Sequence, residues 1–188
     1  LKHDPLGKGI KTIIPSTQQT QLTQKLNWLL QTKGVGIITG EAGTGKTTAL
    51  REWTQALNPM THHVMYQSDN HFRAFDIYSQ LADQLGLDKF ARYSTLWRAL
   101  KRELLNLIDN KQLSPIWVID EAHCAPTNFL TELPAFLNFS FDSRDIMTII
   151  LVGLPPLQAN LRKSIHSALL SRTLFQFTWM TIDDFDAH

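Results

Sequence analysis

A single cysteine, Cys124, is all the thiol that this chain of 188 residues carries. One cysteine cannot close an internal disulfide, so no disulfide framework holds the fold, and the usage fits a reducing cytoplasm. An excess of charge is lacking too: 18 basic against 17 acidic side chains leave a net charge of +1. That balance gives no global attraction to nucleic acid, so any basic surface has to be local. Long apolar runs are also missing. The segment 146–152 is interrupted by Thr148 and falls far short of the ~20 residues a membrane helix needs. Leu1-Lys2-His3-Asp4 leads into nothing like the apolar stretch of a secretory signal. Neither an internal repeat nor a low-complexity tract is visible. What remains is a globular composition, 43% hydrophobic and 19% charged, long enough for one domain with a full core.

Against that background one segment stands out. Gly40-Glu41-Ala42-Gly43-Thr44-Gly45-Lys46-Thr47 fits the pattern G-x-x-x-x-G-K-[ST] of a triphosphate-binding loop. Glycines let the backbone wrap an anion and aim several N–H groups inward. Lys46 has the reach and charge for the β- and γ-phosphates of ATP, and the Thr47 hydroxyl suits Mg²⁺. Thr48 extends the same turn. An apolar strand at 34–39 precedes the loop and a helix over 47–57 follows, so the positive end of that helix points at the phosphates.

The rest of the chain alternates between the two periods. After an irregular lead-in over 1–15, Ser16 or Thr17 can cap a helix to about Thr32, with Leu22, Leu26, Leu29 and Leu30 on one face. Strands are expected at 63–66, 116–119, 146–152 and 174–179. Helices are expected over 72–85, 95–108, 129–137 and 157–170, with Ser114-Pro115 breaking the chain before the third strand. Apolar strands alternating with helices predict an α/β fold with a parallel sheet covered on both faces.

Asp120-Glu121 emerges from the third strand about seventy residues after the loop. Ligands of open parallel sheets sit at the carboxyl ends of the strands, where the phosphate loop also lies. Asp120 is therefore expected to hold Mg²⁺ with Thr47, directly or through water, and Glu121 to orient and deprotonate the attacking water. His123 and Cys124 follow at once, but no second ligand cluster stands at zinc-site spacing, which leaves a loop histidine and a small packed thiol. The string Asp120-Glu121-Ala122-His123 also spells the DEAH-box signature. Those helicases need two such domains in tandem, so the match reflects the shared logic of the acid pair.

Later residues narrow the family. Ile149-Ile150-Leu151-Val152-Gly153-Leu154-Pro155-Pro156-Leu157 resembles the fourth-strand segment of bacterial AAA+ ATPases in the TniB, TnsC and ExeA group. Leu161-Arg162, His166 and Leu169-Leu170-Ser171-Arg172 are similar to the same group's helix ending in an arginine. The resemblance covers about 17–184 and implies a P-loop NTPase with an AAA+ core, a five-stranded parallel sheet flanked by helices, filling the chain as one domain. It also implies ATP with Mg²⁺ and assembly of identical copies into rings or filaments. Arg172 is then the arginine finger that reaches the γ-phosphate of a neighbouring copy. Two departures stand out. The polar residue expected after the fourth strand is Leu154, with Thr148 the one nearby polar alternative. The group's small helical lid is expected after about residue 184 and is read as absent or truncated.

Arg92, Arg98, Lys101 and Arg102, on or near the helix over 95–108, could track a phosphate backbone, with Arg73, which follows His71 and Phe72, and Lys89 as further cations. A run this short reads first as a solvated helix face, so DNA binding is what the resemblance implies. The leading expectation is a cytoplasmic ATPase that assembles on double-stranded DNA and helps a transposase or target-selection protein. An ExeA-like ATPase of the cell envelope, or a nucleotide-switched binding module with weak hydrolysis, remain open beside it.

Overall fold

The computed structural model describes residues 17–68, 73–139 and 146–180. The lead-in, Ser16, His71, Phe72 and the lid expected after 184 lie outside the described residues. Seven α-helices and five strands alternate in the described residues: α1 (Thr17–Thr32), β1 (Gly34–Gly40), α2 (Lys46–Gln55), β2 (His62–Gln67), α3 (Ala74–Gln84), α4 (Tyr93–Asp109), β3 (Ser114–Ile119), α5 (Thr127–Leu137), β4 (Thr148–Gly153), α6 (Pro156–Leu161), α7 (Ser167–Leu170) and β5 (Thr173–Trp179). All strand pairs are parallel, in the order β2-β3-β4-β1-β5. The expected fold class is therefore the observed one.

The strands of the sheet's interior read differently from its edges, for a physical reason. β1 and β4 are buried along their whole length because helices cover both faces. The edge strand β5 alternates, with Phe175 and Phe177 turned inward. Successive side chains go to opposite faces. Ile116, Val118, Ile150 and Val152 meet Leu22, Leu26 and Leu29 of α1 and Leu50 and Trp53 of α2. Trp117, Ile119, Ile149 and Leu151 meet the larger cluster under α3, α4, α5, α6 and α7. At its centre Tyr78 lies within 5.9 Å, centroid to centroid, of Trp97, Trp117, Phe129 and Phe136.

Four local expectations are corrected, the first being the packed thiol, since Cys124 is exposed. Ser114-Pro115 does not break the chain before β3 but begins it. Ser114 N bonds Thr61 O on the β2 side, so position 115 faces β4, whose pairing starts only at Ile116. Proline loses no ladder bond there. The helix expected over 157–170 is split into α6 and α7 by a 3₁₀ turn, Ser164–His166. Lys101 is not a free cation of a basic stripe. Its Nζ donates to Ala135 O and Asn138 O at the end of α5 and lies over the rings of Trp97 and Phe139.

His166 is 1% exposed, and neither ring nitrogen has a hydrogen-bond partner among the described residues. Burial, with Lys163 adding to it, lowers its pKa below the ordinary 6.5. The unfolded chain therefore binds a proton at a pH where the native protein does not. Stability is full above this range, falls as the pH drops through it by up to about 1.4 kcal/mol per pH unit, and levels off below the native pKa. Urea midpoints at neutral and mildly acidic pH, compared for wild type and His166→Leu, check this. The variant should lose that share of the acid sensitivity, while His63, whose pKa burial also lowers, keeps its own.

Candidate functional site

The loop between β1 and α2 turns because two of its glycines adopt left-handed backbone, Gly43 at φ 74° and Gly45 at φ 98°. Gly40 answers a different demand. A Cβ there would stand 2.6 Å from Trp179 O of the paired strand β5, so only hydrogen fits. Lys46, 8% exposed, folds back over the loop. Its Nζ donates to Gly40 O at 2.8 Å, Glu41 O at 2.5 Å and Thr44 Oγ1 at 3.3 Å. Burial lowers its pKa, and Asp120, Glu121 and Glu41 oppose that shift.

Across the sheet, β3 ends at the acid pair. Asp120 is 5% exposed. Its Oδ2 accepts from Thr47 Oγ1 at 2.9 Å and from Tyr66 OH at 2.6 Å, and its Oδ1 accepts from Glu121 N at 2.9 Å. Burial and the hydrogen bond to Asp120 push the Tyr66 phenol well above its ordinary pKa of 10.0, so it stays a donor at working pH. Glu121 sits at φ 55°, a left-handed conformation that turns the chain out of the strand. Its Oε2 lies 3.5 Å from His123 Nε2, while His123 Nδ1 accepts from Leu154 N at 3.3 Å.

These groups frame a cleft of about 310 Å³ lined by Ala42, Gly43, Gly45, Lys46, Thr47, Thr48, Glu121, Gly153 and Leu154. Gly40, Glu41 and Thr44 form the base of the loop beneath it, and Asp120 lies behind Thr47. A larger cleft of about 630 Å³, lined in part by Lys33, Asp109 and Ser114, is at the opposite edge of the sheet and holds none of the loop residues. The donor set fits a hard divalent cation: a hydroxyl and a carboxylate oxygen, 2.9 Å apart, beside an anion-wrapping loop.

Arg172 is not brought to this cleft. Its carbonyl accepts from Val35 N at the start of β1, so β5, seven residues and roughly 20 Å long, separates it from the loop of its own chain. Thr148 likewise begins β4, opposite Gly34 and Ile116, and cannot serve as the polar residue missing at Leu154. Two residues at the site carried no role in the sequence analysis. Tyr66 had one signal, a tyrosine at the carboxyl end of a strand. His123 had its position two residues after Glu121.

A family profile described as an AAA domain matches residues 29–161, well over half of the chain and spanning both the loop and the acid pair. The chain belongs to the AAA family. General secretion pathway protein A of Aeromonas hydrophila is 29% identical to this AAA domain over 184 residues, which is 95% of the chain and 33% of that protein. Among solved structures, the Aeropyrum pernix ORC2 protein in its ADPNP–ADP complexes superposes with a TM-score of 0.68 at 20% identity, covering 89% of this chain and 48% of that one. The ORC1 protein of the same organism in complex with DNA does so with a TM-score of 0.63 at 16% identity, covering 86% and 44%. These likenesses establish the shared fold. The AAA domain thus spans about a third of the secretion protein and less than half of each archaeal chain.

Gly40→Ala forces a methyl into the β5 backbone, a clash that costs about 1–3 kcal/mol. Thermal unfolding should show a midpoint lower by several degrees, with nucleotide affinity falling alongside. Ala42→Gly, in the same loop, should leave the midpoint within about a degree.

Proposed function

We propose that this AAA domain binds ATP with Mg²⁺, hydrolyses it to ADP and phosphate, and assembles with copies of itself so that each completes its neighbour's site. The convergence of Lys46, Thr47, Asp120 and Glu121 on one cleft at the carboxyl edge of the sheet carries this reading. Residues 40–48 cradle the phosphates, and Lys46 exchanges its carbonyl partners for phosphate oxygens. Magnesium, held by Thr47 and Asp120, offsets phosphate charge when bound. Glu121, partly exposed at the cleft, orients the attacking water and takes its proton. Arg172 supplies a permanent cation to the γ-phosphate of the next copy, since its own loop is out of reach.

In the same reading the assembly forms on double-stranded DNA and serves a transposase or target-selection protein in the cytoplasm. Two things support this. The segments Gly153-Leu154-Pro155-Pro156-Leu157 and Ser171-Arg172 resemble the TniB, TnsC and ExeA group, which includes transposition ATPases, and a similar fold is seen in complex with DNA. Arg98 and Arg102, exposed and one turn apart on α4, are the local cations for such a surface. A second reading, an ATPase of cell-envelope assembly, is favoured by the secretion protein's identity over 95% of the chain.

Mixing experiments test assembly directly. Glu121→Gln and Arg172→Ala should each lower turnover by about 10²–10³-fold while retaining ATP binding. Mixed together they should regain a sizeable fraction of wild-type rate, because an intact Glu121 then meets an intact Arg172 across the contact. A mixture as inactive as its parts contradicts the shared site. Double-stranded DNA should raise the wild-type rate at low salt; indifference to DNA favours the envelope reading.

A further inference from the structure

Asp120 Oδ2 has two donors among the described residues, and the shorter bond is from outside the loop: Tyr66 OH at 2.6 Å against Thr47 Oγ1 at 2.9 Å. Tyr66 stands at the end of the edge strand β2, fifty-four residues away in sequence. The fold takes trouble to hold it there. The β2 backbone is registered against β3, Tyr66 opposite Val118 and Gln67 opposite Ile119, and Asp120 N continues the ladder to Gln67 O at 2.7 Å. On the outer side Tyr66 N donates to Gln84 Oε1 of α3 at 2.8 Å, which satisfies an edge N–H that would otherwise face solvent.

Three hydrogen bonds thus fix one carboxylate: the phenol and Thr47 on Oδ2, the Glu121 amide on Oδ1. Thr47 cannot fix Asp120 alone, because the threonine hydroxyl is itself a prospective cation ligand whose proton must turn with its lone pairs. The phenol has no such second duty. Its ring comes from β2, whereas Thr47 lies in α2 and Asp120 follows β3, so its hold on Oδ2 is independent of the loop's conformation.

We propose that Tyr66 is a positioning residue for the divalent cation, holding Asp120 so that Oδ2 stays beside Thr47 and setting how strongly Mg²⁺ tightens nucleotide binding. This rests on the reading of the cleft as an ATP–magnesium site. Partners of this outer kind fix a ligand's orientation, and their loss costs roughly 10–100-fold in metal affinity.

The test is binding, not turnover. Affinity for ATPγS is measured across Mg²⁺ concentrations and in EDTA for wild type, Tyr66→Phe and Asp120→Asn. Tyr66→Phe removes one hydroxyl and keeps the ring, and its thermal midpoint is measured alongside. The expected result is a half-saturating Mg²⁺ concentration about tenfold higher in Tyr66→Phe, with unchanged affinity in EDTA and an unchanged midpoint. An unmoved Mg²⁺ dependence in Tyr66→Phe, with a clear shift in Asp120→Asn, overturns the role of Tyr66 alone. Equal losses with and without Mg²⁺ overturn it too, as a structural effect. If Asp120→Asn also leaves the Mg²⁺ dependence unmoved, the metal reading of the cleft fails and takes this proposal with it.

Discussion

The carboxylate of Asp120 is the constraint around which the site is arranged. It is nearly buried at the end of a strand, a position that costs free energy unless every oxygen is engaged. The chain engages both oxygens from three directions: the first turn of α2 through Thr47, the edge strand through Tyr66, and its own following amide through Glu121. Satisfying that one group fixes where the phosphate loop sits relative to the acid pair. The strand order makes this possible. β4 lies between β1 and β3, so its own end, Gly153 and Leu154, forms the remaining wall of the cleft. A Cβ at Gly153 would lie 3.1 Å from His123 N, so the turn after β3 and the turn after β4 are packed as one unit.

Packing elsewhere keeps this edge of the sheet in register. The apolar strands are covered on one face by α1 and α2 and on the other by the helices from α3 to α7, with Tyr78 inside a cage of aromatic rings. Lys101 shows how the fold uses its few cations. It closes the exposed carbonyls at the end of α5 and lies over two rings, a use that draws it away from any shared basic stripe. With a net charge of only +1, any surface for DNA would have to be local, not a property of the molecule as a whole.

Contiguity decided what the sequence made legible. The phosphate loop and the acid pair are short strings whose spacing is set by their chemistry, and both strands that carry them are apolar runs bounded by glycine or acid. The covered parallel sheet followed from those runs. Tyr66 left only one signal, its place near a strand end, because its bond to Asp120 depends on the β2–β3 register, which no local pattern encodes. The 3₁₀ turn at Ser164–His166 was hidden because Leu157, Leu161 and Leu169 keep an apolar rhythm across it, all three buried against the same core. Pro115 was misjudged because its tolerance depends on which side of β3 is paired at that point. Leu154 stands where a polar residue is expected, and it contributes through its backbone N–H, a group every residue type but proline carries, so no residue pattern marks it.

If the loop from Gly40 to Thr47 holds ATP through Lys46, removing that lysine removes the binding. The most direct measurement is the thermal midpoint with and without ATP and Mg²⁺, for wild type and Lys46→Ala. A ligand bound at a hundred times its dissociation constant stabilises the native state by about 2.7 kcal/mol. Wild type should therefore unfold several degrees higher with ATP and Mg²⁺, and Lys46→Ala should show no shift. An equal shift in both proteins would mean that Lys46 does not hold the nucleotide.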